Sequence, residues 1–283
     1  FFNFKSDNFE TDENVNKEKI SISISDFLDR NNTSLLKNTK FIFEETFRNI
    51  YTAIKFSNSD KKIKIVNITS TIPEEGKSLC SLFLAVNTSQ ISKKILIIDT
   101  DLRKPTLHKR LEVDNVLGIS NYLVNNDKDW KKYINKHETI ENLSFMTTGK
   151  IPPNSISLLE SKKMKYFMEQ LKSSEEYDFI VLDCPPILGL SDALIISNYV
   201  DASILTVSLN KVNKSLSNEC LKKLKIIDKP VIGTIINSVK KEINSNYLGN
   251  RYYSYGNPYN YYSYKYMPKE IQTRYFDGVD KET

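Results

Sequence analysis

One ten-residue stretch, Thr69-Ser-Thr-Ile-Pro-Glu-Glu-Gly-Lys-Ser78, constrains the fold more than any other part of the chain. An apolar, β-branched run at positions 63–68 precedes it, and an apolar run without Pro or Gly follows at 79–86. These flanks predict a buried strand, a loop and a helix, the context that a phosphate-binding loop requires. The unpaired N–H groups and the positive dipole end of a helix N-terminus suit a polyphosphate.

The residue types within this loop fit a nucleoside triphosphate and its metal ion. Gly76 lets the backbone approach phosphate oxygens without a Cβ in the way. We expect Lys77 to reach the β- and γ-phosphates and the Ser78 hydroxyl to ligand Mg²⁺. Thr71 stands where the general pattern has a first glycine, so the loop alone leaves a chance Gly-Lys-Ser turn as the alternative.

Two further apolar runs end in carboxylates. The run at 92–99 leads into Asp99-Thr-Asp101, and the run at 177–183 ends in Asp183. Continuous apolar runs are typical of parallel strands buried on both faces, and the carboxyl ends of such strands border the ligand crevice. If the first strand continued far enough, Asp99 and Asp101 would share one face, one to bind metal and the other to take a proton. We expect Asp183 to hold Mg²⁺ directly or through water.

Strand and helix patterns alternate along the rest of the chain. Strands are predicted at 142–147, 201–208 and 230–236, and helices at 41–56, 155–171 and 216–224. The alternation predicts an α/β fold of the P-loop NTPase type, with a mostly parallel sheet and helices on both faces. Asn237 follows the last predicted strand and could pair with an adenine edge, although a turn-forming Asn explains it nearly as well.

Composition divides the 283 residues into three parts. Residues 1–40 are polar and predict a flexible N-terminal arm, in which 21–27 could add an edge strand. Residues 41–241 hold the predicted nucleotide-binding domain, and residues 242–283 are rich in tyrosine. Forty basic and 35 acidic residues give a net charge of +5, which does not predict a nucleic-acid binder but is compatible with an anionic membrane nearby.

The cysteines and the apolar runs disfavour several classes of protein. Cys80, Cys184 and Cys220 are scattered and odd in number, so they predict buried thiols in a reducing compartment rather than a disulfide framework or a metal site. The sequence contains no run of about 18 apolar residues, and no signal peptide is visible. The chain begins with Phe1, and we expect a fragment whose preceding residues could include a membrane anchor.

The segment after position 241 is crowded with tyrosines among Ser, Asn and Gly, and it keeps no helical or strand periodicity. It could be a sticky low-complexity tail, a stacking surface for single-stranded nucleic acid, or a set of phosphoacceptors. Basic residues are too few for the second. We favour the third, because each phosphorylation would add about −1.5 to −2 charges and so act as a switch. The tyrosines are Tyr247, Tyr252, Tyr253, Tyr255, Tyr259, Tyr261, Tyr262, Tyr264 and Tyr266.

Together these motifs resemble those of the bacterial tyrosine kinases of capsule and exopolysaccharide synthesis, over about residues 41–266. The loop Ser70-x-x-Pro-x-x-Gly-Lys-Ser78 is similar to the family's Walker A motif, 95–105 to its Walker A′ motif and 179–186 to its Walker B motif. The C-terminal segment resembles the family's tyrosine cluster. The resemblance implies a kinase domain at 41–241 that uses ATP and Mg²⁺, autophosphorylates the cluster in trans and regulates polysaccharide synthesis and export.

The resemblance also implies roles for individual residues. Lys77, Asp99, Asp101 and Asp183 would be catalytic, with Asp99 as the base for the tyrosine hydroxyl, and Ser78, Asp101 and Asp183 would hold the metal. ATP contacts are expected from Ser70, Thr71, Pro73, Glu75, Gly76, Lys77, Ser78, Leu79 and Asn237. The phosphoacceptors would be Tyr252, Tyr253, Tyr255, Tyr259, Tyr261, Tyr262, Tyr264 and Tyr266.

Partners and location follow from the same resemblance. It implies a membrane-embedded activator of the chain-length-determinant type, separate or fused upstream, a cognate tyrosine phosphatase and no nucleic acid. The kinase would lie in the cytoplasm, at the inner face of the membrane. The family's Glu-x-x-Arg-x-x-Arg motif serves ring assembly; Glu45 and Arg48 match it, but Tyr51 stands at the second Arg position, so a ring is expected with altered details.

Two other functions compete with this interpretation. A partitioning or septum-placing ATPase of the same fold would act as a nucleotide-gated positioning protein. Such ATPases carry an additional lysine where this chain has Ile72, and they lack the tyrosine tail. A non-catalytic scaffold gated by nucleotide would not require intact acidic motifs, so the sequence favours the kinase.

Overall fold

A central β-sheet organises the part of the chain that the computed structural model describes, residues 34–57, 62–91, 93–209, 211–227 and 229–237, with side chains from residue 43 onward. Its strands are β1 Ile65–Ser70, β2 Ile95–Asp99, β3 Asn135–Lys136, β4 Leu143–Met146, β5 Phe179–Asp183, β6 Ala202–Ser208 and β7 Val231–Asn237. Their order in the sheet is β3-β4-β2-β5-β1-β6-β7. Only the β3–β4 pair is antiparallel among these strands, so the predicted mostly parallel sheet is confirmed.

Helices pack on both faces of the sheet. They are α1 Ser34–Phe56, α2 Lys77–Ser89, α3 Leu107–Leu111, α4 Ile119–Val124, α5 Ser155–Leu159, α6 Lys162–Ser173, α7 Asp192–Ser197 and α8 Lys214–Lys225, with a 3₁₀ turn at Trp130–Tyr133. Successive residues of β2 enter two different cores: Ile95 and Ile97 share one with α1 and α2, whereas Leu96 and Ile98 share the other with α4 and α6. Burial on both faces explains the continuous apolar runs of the strands.

The observed elements differ from the predicted ones at several boundaries. Helix α1 begins at Ser34, seven residues before the predicted start, because the segment ahead of Phe41 contains no Gly or Pro to stop a helix. The helix predicted at 155–171 is two helices, since the Ser161 hydroxyl accepts a hydrogen bond from Met164 N and caps α6. The tentative strand at 21–27 and the tyrosine tail lie outside the described residues.

The strand order brings the three motif-bearing strands together. Strand β5 lies between β1 and β2, so that Asp183 is paired in register with Ile68 on one side and with Asp99 on the other. The carboxyl ends of β1, β2 and β5 therefore meet at one edge of the sheet. The three cysteines are buried and free, as predicted. Among the described helices, none is both long enough and apolar enough to span a bilayer.

Candidate functional site

The phosphate-binding loop joins β1 to α2, and Gly76 stands at the N-cap of that helix. Gly76 has φ of +90°, a left-handed conformation that favours glycine. A Cβ at this position would lie 2.1 Å from Asn237 Nδ2. The same Nδ2 donates to Glu75 O at 2.9 Å, so the end of β7 holds the loop where α2 begins. In this conformation the Asn237 amide is engaged by the loop backbone.

Glu75 supports the loop from inside the fold. Its side chain is fully buried, Oε2 accepts from Ile72 N at 2.8 Å, and Oε1 accepts from Ser208 N at 2.8 Å at the end of β6. Both oxygens of the Glu75 carboxylate are thus engaged inside the fold, and the expected ATP contact of Glu75 stays a prediction. A carboxylate is suited to bind backbone N–H groups, whereas a phosphate would repel it.

The remaining predicted ATP contacts differ in exposure. The Ser70 hydroxyl is buried and donates to Ile72 O at 2.7 Å, and Thr71 is also fully buried. Pro73 is exposed on the loop, and Leu79 packs partly against the apolar core. The side chains of Ser70 and Thr71 are therefore buried under the loop rather than presented on its surface.

Lys77 lies between two of the predicted metal carboxylates. Its Nζ is 3.1 Å from Asp101 Oδ2 and 3.9 Å from Asp183 Oδ1, and it donates to Ser78 Oγ at 3.3 Å. Burial by itself lowers the pKa of Lys77, but the two carboxylates outweigh burial and raise the pKa above its ordinary value. Lys77 is therefore a charged ammonium that balances the acidic groups around it.

Asp183 has a free coordination position. It is fully buried, and burial raises its pKa while Lys77 opposes the rise. Ser81 Oγ donates to Asp183 Oδ1 at 3.3 Å, but Oδ2 has no hydrogen-bond partner within the described ranges. A buried carboxylate oxygen without a hydrogen-bond partner is chemically suited to a cation.

The ligand set fits Mg²⁺ better than a closed metal site. The described ranges contain no group of three or more His, Cys, Asp or Glu side chains arranged to hold a metal on their own. Mg²⁺ is usually bound by one or two carboxylates together with substrate phosphates and water. Ser78, Asp101 and Asp183 meet that requirement once a nucleotide supplies phosphate oxygens.

Asp99 shapes the turn that follows β2. Its Oδ1 accepts from Asp101 N at 3.1 Å, and its Oδ2 accepts from Thr106 N at 3.1 Å and Leu107 N at 3.0 Å. Burial, with a smaller effect of Asp183, raises the pKa of Asp99 to about 8 against these donors. The condition under which Asp99 and Asp101 would share a strand face is not met, because β2 ends at Asp99 and the turn carries Asp101 to Lys77.

A cluster that sequence reasoning missed lies at the same edge. Arg103 binds Asp192 with two hydrogen bonds, Nε to Oδ2 at 3.0 Å and Nη2 to Oδ1 at 2.9 Å, and Ser155 Oγ also donates to Oδ2. Burial raises the pKa of Asp192, but Arg103 and Ser155 outweigh burial and hold it below the usual range. Arg103 lies two residues after the Asp-x-Asp pattern, inside the stretch that resembles Walker A′, yet its partner is 89 residues away and carries no sequence signal.

The predicted assembly residues lie on α1. Arg48 pairs with Glu45 one turn away and with Glu44 at 3.8 Å, and the side chains of Arg48 and Glu45 are partly exposed. Tyr51 instead packs into the core, 9% exposed, with its ring centroid 5.3 Å from that of Phe179. The predicted phosphoacceptor tyrosines lie beyond Asn237, outside the described residues.

Comparison with known proteins agrees with these motifs. The profile of a family described as an AAA domain matches residues 61–244. The tyrosine-protein kinase YwqD of Bacillus subtilis (strain 168) is 35% identical over 216 residues, which cover 76% of this chain and 90% of that protein. The putative tyrosine-protein kinase CapB of Staphylococcus aureus is 36% identical over 217 residues, 77% of this chain and 92% of that protein.

Solved structures share the architecture. The kinase domain of Escherichia coli tyrosine kinase ETK has a TM-score of 0.66 at 29% identity, over 71% of this chain and 77% of that one. The chimerical protein CapA2B2 has a TM-score of 0.65 at 31% identity, over 70% and 85%. The septum site-determining protein MinD of Pyrococcus horikoshii, complexed with Mg-ADP, has a TM-score of 0.52 at 22% identity, over 65% and 76%. That last likeness concerns the fold alone.

Proposed function

This chain belongs to the bacterial tyrosine-protein kinases, and we propose on that basis that it transfers the γ-phosphoryl group of ATP to tyrosine hydroxyls of its own C-terminal cluster. The observation that carries the proposal is the meeting of Lys77 with Asp101 and Asp183 at the carboxyl edge of the sheet. These side chains lie far apart in the sequence, and their convergence supports a phosphate and Mg²⁺ site.

The loop and α2 bind the phosphates through backbone N–H groups and the helix dipole. Lys77, which contacts Asp101 and Asp183 in this structure, would bind β- and γ-phosphate oxygens instead, and Ser78, Asp101 and Asp183 would hold Mg²⁺. Mg²⁺, when bound, supplies charge neutralisation at the phosphate oxygens. Catalysis then depends mainly on holding the tyrosine oxygen in line with the γ-phosphorus and the leaving oxygen.

Asp99 is the proposed base. Burial raises the pKa of Asp99 to about 8, so the ionised side chain accepts a proton more readily than an ordinary carboxylate, and the charge of Lys77 favours the ionised form. In the described part of the chain Oδ1 accepts a single hydrogen bond, which leaves one lone pair for the tyrosine proton. The phenolic oxygen then bonds to the γ-phosphorus as the bond to the β-phosphate oxygen breaks, and ADP leaves. Asp101, whose Oδ2 is paired with Lys77, is the alternative base.

The biological setting of this reaction belongs to the same proposal. Neighbouring subunits, assembled in a ring through Glu45 and Arg48 of α1, exchange their tails so that phosphorylation occurs in trans. A membrane-embedded activator brings the kinase to the inner face of the cytoplasmic membrane, and a cognate phosphatase reverses the modification. The output is control of capsular or exopolysaccharide synthesis and export, and one relative, from Klebsiella pneumoniae, is named a putative tyrosine-protein kinase in cps region.

Mass spectrometry of the purified chain after incubation with ATP and Mg²⁺ tests the proposal. We expect phosphotyrosine within 252–266, and we expect Lys77→Met to abolish it because the variant lacks the cation that binds the γ-phosphate. Lys109→Met, which changes an exposed lysine of α3, is the matched control and should remain active. ATP hydrolysis without phosphotyrosine would support a positioning ATPase instead, and undiminished labelling of Lys77→Met would refute the site.

A further inference from the structure

Asp192 binds both Arg103 and Ser155, and so connects three segments at the carboxyl edge of the sheet. Arg103 belongs to the turn after β2, Asp192 begins α7, and Ser155, which donates to the same carboxylate, begins α5. The chemistry proposed above does not use these side chains directly. Their arrangement nevertheless requires explanation, because a buried carboxylate is costly unless it is paired and hydrogen-bonded.

The Arg103–Asp192 ion pair, called the anchor below, fixes the turn after β2 to the first residue of α7. Asp192 is fully buried, whereas 41% of the Arg103 side chain is exposed, so the guanidinium reaches from the surface to a fixed point inside the fold. Two parallel N–H···O bonds at 2.9 and 3.0 Å hold it in one orientation. Bidentate geometry of this kind fixes direction as well as distance.

Arg103 lies inside the turn that orients Asp101. Lys104 N donates to Asp101 Oδ1 at 3.0 Å, which leaves Oδ2 directed at Lys77. A movement of Arg103 would shift the backbone between these two contacts and so rotate the Asp101 carboxylate. Asp99 Oδ2 accepts from Thr106 N and Leu107 N beyond the turn, so Asp99 has contacts outside the anchor in addition to the one that Asp101 N makes with Oδ1.

The other end of the anchor is tied to the phosphate loop. The segment between Asp183 and Asp192 runs beside that loop, with Ile187 N donating to Ser70 O at 2.8 Å and Leu188 N donating to Thr71 O at 3.1 Å. The contacts therefore connect back to the loop: the loop contacts this segment, which leads to Asp192, Asp192 binds Arg103, and the Arg103 turn carries Asp101 to Lys77. Because each of these residues is held from two sides, its side chain can move less than if it were held from one side.

We propose that Arg103 and Asp192 are positioning residues that hold Asp101 in the orientation required to bind Mg²⁺ together with the nucleotide. They touch neither substrate nor metal and act through Asp101. The inference rests on the proposed function, because it assigns Asp101 to the metal. It extends that function by naming the residues on which the Asp101 geometry depends.

The test compares Arg103→Ala with Lys104→Ala in the full chain. Lys104 is exposed in the same turn and makes no contact with Asp192 in the described structure, so its variant is the matched control. The first readout is the Mg²⁺ concentration that gives half of the thermal stabilisation by ADP. We expect it to rise about 10-fold to 100-fold in Arg103→Ala, the usual effect of losing an outer contact to a metal ligand. Lys104→Ala should match the wild type.

Kinetics supply the second readout. At saturating Mg²⁺ the KM for ATP should change little in Arg103→Ala, because the loop N–H groups and Lys77 still bind phosphate, while kcat should fall. Arg103→Lys keeps the charge without the bidentate fork and should recover only part of the loss. If Arg103→Ala does not fold, Asp192→Asn, which keeps the side-chain shape, must show the same rise in the Mg²⁺ requirement.

A Mg²⁺ requirement like the wild type's in Arg103→Ala or Asp192→Asn would overturn the inference. If the melting temperature of the variant also fell, the pair would be merely structural. If the wild type is stabilised by Mg²⁺ and ADP but labels no tyrosine, the proposed kinase function fails, while the stabilisation experiment still decides on the anchor.

Discussion

Lys77, Asp99 and Asp183 are buried together, and the surroundings of each decide its charge. Carboxylates keep Lys77 protonated, whereas burial raises the pKa of both Asp183 and Asp99. The site of the nucleotide-free protein therefore holds more carboxyl groups than its one lysine can neutralise, and their raised pKa values favour the protonated, uncharged forms. A bound cation stabilises the ionised carboxylates, which favours the binding of a metal with its nucleotide.

Asp99→Asn should change how stability depends on pH. The pKa of Asp99 is about 8 in the folded protein against an ordinary value of 3.8, so between these pH values the folded state binds more protons than the unfolded state. The free energy of unfolding of the wild type therefore falls as pH rises through this window. Asn does not titrate, and the variant should lose this contribution and be more stable than the wild type near the upper end of the window.

Urea unfolding in EDTA across this pH range measures the effect. Asp101→Asn is the comparison, because it removes a carboxylate from the same turn but leaves Asp99 in place. Both variants should lose kinase activity, since Asp99 is the proposed base and Asp101 a proposed metal ligand, so the pH dependence of stability is the readout that separates them. A pH dependence of Asp99→Asn identical to that of the wild type would contradict the assigned environment of Asp99.

At the scale of elements, strands distant in sequence hold the loop between β1 and α2. Glu75 ties it to the end of β6, and Asn237 ties it to the end of β7. The loop conformation, including the left-handed Gly76, is thus supported by the sheet rather than by its own residues. Substitutions at this contact should affect stability and nucleotide binding together.

Gly76→Ala should destabilise the protein and abolish nucleotide binding, because the added Cβ would meet Asn237 Nδ2 and the residue would be forced to keep φ of +90°. Gly189→Ala is the matched control, since Gly189 has φ of +88° with open space around it and would incur only the backbone strain of about 1–2 kcal/mol. Adding Asn237→Ala to Gly76→Ala removes the clash and should restore part of the melting temperature. No recovery would show that the clash lies elsewhere.

Helix α1 supplies the second prediction at this scale. Tyr51→Arg restores the family's assembly motif in sequence, but it would place a charged group against Phe179 in the core. We expect the free energy of unfolding to fall by about 2 kcal/mol or more, because burying an unpaired charge is among the most destabilising changes. Tyr51→Phe keeps the ring and should be close to the wild type in urea unfolding. If the free energy of unfolding of Tyr51→Arg equalled that of the wild type, the side chain of residue 51 would have to reach the surface.

At the scale of the whole molecule, the tail has enough length to reach more than one active site. Tyr252 is 15 residues beyond Asn237, and an extended chain covers at most about 3.3–3.6 Å per residue. Three strand spacings of about 4.8 Å separate β7 from β5, so the tail could reach its own site. Length therefore does not decide between phosphorylation in cis and in trans.

A mixing experiment decides between them. One chain carries Lys77→Met and intact acceptors; the other has an intact site, and its eight tyrosines from Tyr252 to Tyr266 are replaced by Phe. Neither should gain phosphotyrosine in the cluster alone, and the Lys77→Met chain should gain it when the two are mixed with ATP and Mg²⁺. An unlabelled mixture, with the wild type labelled in parallel, would contradict transfer between subunits.

Sequence reasoning predicted the elements whose signals are local. The apolar runs that end at Asp99 and Asp183 and the loop around Gly76 each carry their signal within about ten residues, so the strands and their terminal groups could be predicted. It did not predict that Glu75 turns inward or that Tyr51 is buried. Those orientations depend on what packs against each side chain.

The amino-acid sequence by itself determined the kind of chemistry, because it set a lysine and a serine at the start of a helix and three carboxylates at or just after the ends of strands. Only the tertiary structure decided which of these groups meet. The order of strands places β5 between β1 and β2, and a turn rather than a strand face brings Asp101 to Lys77. Arg103 binds Asp192, which is 89 residues away in the sequence. Such contacts arise from the packing of distant segments, and no local pattern in the chain records them.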